Sequence, residues 1–221
     1  MDILLVAATE SEIRPAWDHA GDWPGNTRLL VTGVGMLSAA VQLTRAVCKQ
    51  RPDLVIQAGI AGSFEPVPAG TSYLVRSEVL ADTGVMEHNE FHSIFDLKLA
   101  DPDERPFVKG RLLNPYTRLM ASLELPLADA ITVSEVSTSL ERINWYQQKH
   151  RALVESMEGA ALHYTCLIEQ IPFLQLRSVS NTVGVRDKSK WKISEAISSL
   201  NHELDKIIHK VAAYDETYFR I

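Results

Sequence analysis

Three polar clusters stand where strand-like runs give way to helix-like ones. Glu10 and Glu12 directly follow the apolar run Ile3 to Ala8. Met157-Glu158-Gly159 opens a helical stretch after the short run Ala152 to Glu155. Asn181 closes Phe173 to Ser180, with Arg177 four positions earlier. A carboxylate at such a junction can take a proton or hold hydroxyl groups, and an asparagine offers one donor group and one acceptor. Each also has a plain structural explanation: glutamates suit a helix N-terminus, and asparagine suits a turn. Open α/β sheets bind ligands outside the carboxyl ends of their strands, so side chains converging there from three strands read jointly as a site.

Other motifs carry less. Gly33-Val-Gly35 with Ser38 is a partial dinucleotide fingerprint without its third glycine. Asp53, the candidate ribose acid, precedes its strand instead of closing it, so a tight turn is the simpler reading. Glycines at a strand end still let backbone N–H groups approach a sugar or an anion. Within Glu87-His-Asn-Glu-Phe-His92 two histidines have the i, i+4 spacing of zinc ligands. No third ligand stands out, and an exposed loop is expected. There is no Gly-x-Ser-x-Gly elbow and no Walker-type loop.

The elements that position these groups alternate. Ile3 to Ala8, Leu29 to Thr32 and Leu54 to Ala58 read as strands, the last leading into the glycine turn Gly59-Ile-Ala-Gly62. Leu37 to Val47 has helical periodicity, stopped by Pro52-Asp53. Residues 82–110 look like an exposed excursion. Ala128 to Val133, Ala152 to Glu155 and Phe173 to Ser180 are further strands; Leu140 to Lys149, Met157 to Glu169 and 192–213 are helices. This pattern predicts a single α/β domain over residues 1–221 with a mostly parallel sheet.

Composition fits that class. The 221 residues carry 28 Asp+Glu against 22 Lys+Arg, a net charge of −6, with no basic cluster to meet a nucleic-acid polymer. Hydrophobic residues make up 46%, enough for one core that buries roughly 70% of the unfolded surface. No apolar run reaches the roughly 18 residues of a membrane span, and Ile3 to Ala8 is too short for a signal-peptide core. Cys48 and Cys166 form neither a metal box nor a disulfide framework and are expected as buried thiols. A cytoplasmic protein is expected.

Taken together, several segments resemble the nucleoside phosphorylase/nucleosidase superfamily in order and spacing. They are Val6-Ala-Ala-Thr-Glu-Ser-Glu12, Thr32-Gly-Val-Gly35, Asp53 to Gly62, Glu155-Ser-Met-Glu-Gly-Ala160 and Arg177-Ser-Val-Ser-Asn181. The resemblance spans nearly the whole chain and implies a single domain with a central mixed, partly barrel-like sheet. Ser180-Asn-Thr-Val-Gly-Val-Arg-Asp187 with Trp191 is similar to the ending of the futalosine hydrolase branch, which releases hypoxanthine.

Carried onto these positions, the resemblance makes Glu12 the base that activates water and Glu158 the ribose anchor, with Met157 packed against the sugar. Arg177 would orient Glu12, and Asn181 stands where adenine-specific nucleosidases have an aspartate. Gly62, Ile60 and Trp191 would border the substrate. Two positions depart from the adenosine-type pattern: Ile60 replaces a serine, and Ser156 a glutamate. The resemblance implies a nucleoside substrate, no metal or organic cofactor, and a homodimer or larger homo-oligomer. Asparagine at 181 can donate to a 6-oxo group and accept from N7–H, which favours hypoxanthine or guanine over adenine. The rivals are a methylthioadenosine/S-adenosylhomocysteine nucleosidase, a 6-oxopurine phosphorylase and a non-catalytic nucleoside-binding module. A phosphorylase needs several cationic side chains around phosphate, and the glycine segments carry none.

Overall fold

The computed structural model describes residues 1–88 and 90–221. Its elements follow the predicted alternation. The first strand, β1 (Asp2–Ala7), leads into α1 (Glu10–Trp17), then β2 (Asn26–Val31), α2 (Met36–Lys49) and β3 (Leu54–Ser63). Next come β4 (Ser72–Glu78), the hairpin strands β5 (Gly84–Glu87) and β6 (Glu90–Ser93), and the short β7 (Leu112–Leu113). After α3 (Thr117–Ser122) follow β8 (Leu127–Thr132), α4 (Leu140–His150) and β9 (Val154–Ser156). The chain ends with α5 (Gly159–Glu169), β10 (Phe173–Thr182) and the long α6 (Ile193–Ala212).

The sheet closes on itself. Strands run β10-β4-β8-β9-β3-β1-β2, and β10 also pairs with β3, so β10, β4, β8, β9 and β3 form a ring. Parallel and antiparallel pairs are mixed: β3 runs parallel to β1 and β10 and antiparallel to β9. This is the single α/β fold with a mixed, barrel-like sheet that the resemblance implies. The central apolar strands are buried on both faces. Ile3 to Ala7 and Leu54 to Ile56 are sealed by Leu43 and Val47 of α2, Leu162 and Cys166 of α5, and Leu200, Leu204 and Ile208 of α6. Burying one such aliphatic side chain stabilises the fold by about 1.5–3 kcal/mol.

Three expectations need correction. Gly59 to Gly62 is not a turn: β3 continues through it for ten residues, because β10 pairs along the whole stretch and β9 pairs with its end. The strand Ser72–Glu78 carries no clean alternation, since both its faces are largely buried, and the sequence reading passes over it. Cys48 is exposed on α2, whereas Cys166 is buried as expected. Residues 82–110 are mostly exposed but not structureless. Their hairpin buries Phe91 against Trp145, with ring centroids 5.1 Å apart. His92 pairs with Val85 in that hairpin, so the motif lies on strands and not on a helix, with Asn89 outside the described residues. Among the described residues no group of His, Cys, Asp and Glu is placed to hold a metal ion. No described helix is long and apolar enough to cross a membrane.

Candidate active site

Glu12 stands third in α1, and its two carboxylate oxygens are held by different elements. Oε2 accepts from the Thr9 N–H and hydroxyl, both at 3.0 Å, so the side chain caps its own helix. Oε1 accepts from the Ile60 N–H of β3 at 3.1 Å. The helix itself is clamped by Asn201 of α6, which accepts from Ala16 N–H at 2.9 Å and donates to the Glu12 carbonyl at 2.8 Å. The capping reading and the site reading therefore apply to the same residue. Glu10, two positions earlier on the helix, points outward and pairs with Arg14 at 2.9 Å.

Glu158 sits at the N-cap of α5 and is buried. Its Oε1 accepts from the Gly35 N–H at 2.9 Å, and Gly35 has φ 98°, a conformation glycine adopts without strain. The glycine pair after β2 thus presents its backbone donor to this chain's own carboxylate. Ser156, just upstream, accepts from the Gly159 N–H at 3.4 Å.

Arg177 of β10 is 1% exposed and pairs in register with Gly59 of β3. Its Nη2 donates to Gln57 at 2.7 Å and stands 4.0 Å from Glu158 Oε2. The carboxylate in ion-pair range is therefore Glu158 and not Glu12, the partner the resemblance suggested. A Cβ on Gly59 would stand 2.2 Å from Arg177 Nη1 and 3.1 Å from Glu12 Oε1. Only glycine at this point lets the guanidinium and the carboxylate approach the strand. Glu78 of β4 also faces this interior. Its carboxylate accepts from Gln175 at 2.8 Å and Thr132 at 3.0 Å, and burial pushes it up to about 7 against the pull of those bonds and of Arg177.

Glu12, Ile60, Gly62, Met157, Glu158, Asn181 and Trp191 line one cavity of about 340 Å³. Asn181 accepts from the Ser180 hydroxyl at 2.8 Å and donates to the Thr182 carbonyl at 3.1 Å. Trp191 closes one edge. Its ring N–H donates to the Val185 carbonyl at 2.7 Å, and the Arg186 guanidinium stands 5.5 Å from the ring centroid. A third carboxylate, Glu155 of β9, faces the same space. The Ser137 hydroxyl and N–H both donate to it; burial pushes its carboxyl up, and those two bonds pull it down. Sequence reasoning quoted Glu155 without a role, because its neighbours come from remote strands. Asp53 lies elsewhere and accepts from the Asp2 N–H at 2.7 Å, tying down β1.

The chemistry of the cavity is acidic. Three carboxylates line it, and Arg186 is its one cationic side chain among the described residues. Such a site holds hydroxyl groups, accepts protons and stabilises developing positive charge.

Known proteins place this arrangement in a family. The pattern of the phosphorylase superfamily matches residues 19–214. Futalosine hydrolase of Thermus thermophilus is 31% identical over 182 residues, 81% of this chain and 80% of that protein. The Streptomyces coelicolor futalosine hydrolase is 32% identical over 194 residues, 83% of this chain and 79% of that one. The native structure of futalosine hydrolase from Helicobacter pylori superimposes with a TM-score of 0.79 at 15% identity, covering 95% of this chain and 98% of that one. With the closed mixed sheet and the match over most of its length, this chain belongs to the phosphorylase superfamily.

Proposed function

We propose that this protein hydrolyses the N-glycosidic bond of futalosine and releases hypoxanthine. The observation that carries the reading is the convergence of Glu12, Glu158 and Asn181 on one cavity. In the proposed reaction the Glu12 carboxylate takes a proton from water as the water oxygen bonds to C1′. The C1′–N9 bond breaks, its electron pair leaves with the base, and solvent protonates the base at N7. Glu158, steadied by Gly35, accepts from the ribose hydroxyls while Met157 packs on the sugar. Asn181 donates to the 6-oxo group and accepts from N7–H. Carboxylates beside the sugar stabilise the cationic character that C1′ gains in the transition state.

Water rather than phosphate as the nucleophile is supported by the charge of the lining. A phosphate dianion would meet Glu12 and Glu158 with Arg186 as the one lining cation among the described residues. The adenosine-type alternative, methylthioadenosine/S-adenosylhomocysteine cleavage, is disfavoured by the amide at 181. The departure at Ile60 costs little, because its backbone N–H, which any residue but proline supplies, holds Glu12. Residues 1–221 act as one catalytic unit with no cofactor, in the cytoplasm. The unit is a homodimer or larger: α2 leaves Leu37 and Val41 exposed, the adjacent α5 leaves Tyr164 and Ile168, and Val34 joins α2 to the cavity wall.

The test is to incubate the protein with futalosine, inosine and methylthioadenosine, with and without phosphate. Hypoxanthine released from futalosine without phosphate supports the reading. Adenine release or strict phosphate dependence overturns it.

A further inference from the structure

Apart from the residues that line the cavity, β4, β8, β10 and α5 enclose a polar chain that the proposed reaction does not use. Glu78 of β4 is fully buried; its Oε1 meets the Gln175 amide nitrogen at 2.8 Å, and its Oε2 accepts from the Thr132 hydroxyl at 3.0 Å. Thr132 in turn accepts from the Ala160 N–H at 2.8 Å, in the first turn of α5. A Cβ on Gly159, the residue between Glu158 and Ala160, would run into Glu78 Oε1 and the Gln175 nitrogen. The helix that starts at Glu158 therefore rests on Glu78 through one hydroxyl and one close approach of backbone.

The other end of the chain carries a mismatch. His163 of α5 is fully buried, and its Nδ1 stands 3.0 Å from the Leu112 carbonyl, which only accepts, so Nδ1 bears the hydrogen. Burial holds the ring neutral by lowering it to about 4, which leaves Nε2 with a lone pair. The Gln175 side chain reaches this ring, yet His163 Nε2 and Gln175 Oε1 are both buried without a hydrogen-bond partner. A half-turn of the Gln175 amide resolves both atoms at once. Its NH₂ then donates to His163 Nε2, and its oxygen turns to Glu78 Oε1. Two oxygens in contact need a hydrogen between them, and an un-ionised Glu78 supplies it. Every donor then points the same way, from Ala160 N–H through Thr132, Glu78, Gln175 and His163 to the Leu112 carbonyl.

We propose that Glu78 is an un-ionised carboxylic acid and a positioning residue for ribose binding, tying down the first turn of α5 and leaving the Arg177 charge to Glu158. The proposal rests on the reading of Glu158 as the ribose anchor. Arg177 stands 4.0 Å from Glu158 Oε2, its field also acts on Glu78, and its Nε has no partner. An ionised Glu78 would compete for that guanidinium and lose its bond to the Gln175 oxygen. Desolvation keeps the proton on Glu78 up to about pH 7. The other groups acting on it are Arg111, charged throughout, and His163, neutral above about pH 4; β8 presents only the Thr132 hydroxyl.

The test compares wild type with Glu78→Gln, whose amide keeps the bonds to Thr132 and Gln175 but cannot ionise. KM for futalosine, and Kd for inosine by calorimetry, are measured between about pH 6 and 8. In wild type both are expected to rise as pH passes about 7, by up to about tenfold per pH unit, while kcat changes less. In Glu78→Gln that slope is expected to disappear, whatever the value at the acid end. The infrared difference between the two proteins should show the carbonyl band of a protonated carboxyl group at the acid end, fading as pH rises. Thr132→Val cuts the tie between Glu78 and α5 and serves if Glu78→Gln does not fold. It is expected to raise KM more than it lowers kcat, which a merely structural role would not do. Parallel pH slopes in wild type and folded Glu78→Gln overturn the proposal, as does a missing carbonyl band or an unaltered KM in folded Thr132→Val. Futalosine left uncleaved, with inosine affinity still losing its slope in Glu78→Gln, would sink the futalosine reading and leave Glu78 in this role.

Discussion

At Glu12 one carboxylate caps a helix, bonds β3 and faces the cavity, which makes its substitution informative. Glu12→Gln keeps an oxygen to accept from Thr9 or Ile60 but cannot take a proton from water. Hydrolysis is expected to fall by about 10²–10⁴-fold. The melting curve should move by no more than the worth of a helix cap, about 0.5–2 kcal/mol. Hypoxanthine binding measured by calorimetry should persist. A variant that keeps full turnover would remove Glu12 from the reaction. Glu12, Glu158 and Asn181 were legible in the sequence because each stands at a strand end, a position local pattern reveals. Arg177 was legible as a candidate but not for its contact. That depends on Gln57 and Glu158, 120 positions before it and 19 before it, meeting at its guanidinium.

Among the strands of the ring, β4 is the one local pattern does not reveal, and it delivers the most unusual group of the interior. Glu78 keeps its proton to about pH 7, against 4.5 for an ordinary glutamate. Its contribution to stability is therefore complete below 4.5 and is lost as pH rises through 7. His163 of α5 and His150 of α4 act in the opposite sense, since burial lowers both from 6.5 to about 4. Their contribution is complete above 6.5 and is lost as pH falls through 4. Between about pH 5 and 6.5 the two effects partly cancel. Glu78→Gln removes only the first, so stability should rise with pH more steeply than in wild type, by up to about 1.4 kcal/mol per pH unit. Denaturant titrations across that window check this; parallel slopes for the two proteins would show that Glu78 does not hold its proton there.

For the whole molecule, the net charge of −6 acquires a location. Part of it is the trio Glu12, Glu155 and Glu158 around one cavity, suited to a sugar that turns cationic. The exposed apolar pairs on α2 and α5 raise a second question, that of assembly. Leu37 is 80% exposed and only three positions from the cavity-lining Val34. Leu37→Asp with Val41→Asp is expected to shift the protein to monomer in sedimentation and to lower hydrolysis, with little change in the helix itself. An unchanged oligomer would place the interface elsewhere.

The sequence by itself determined the alternation of strands and helices, the acidic balance and the junctions where Glu12, Glu158 and Asn181 stand. Those features are local: periodicity of a few residues, a glycine after a strand, a carboxylate before a helix. Only the tertiary structure decided the rest. The ring closes because β10 pairs with β3 across more than a hundred residues, and β3 runs on through Gly59 and Gly62 because strands on either side supply its partners. That closure brings Arg177 to Glu158 and pairs Gly62 with both Asn181 and Glu155. Strand register is a long-range property, fixed by backbone hydrogen bonds and burial between segments that no window of sequence contains together.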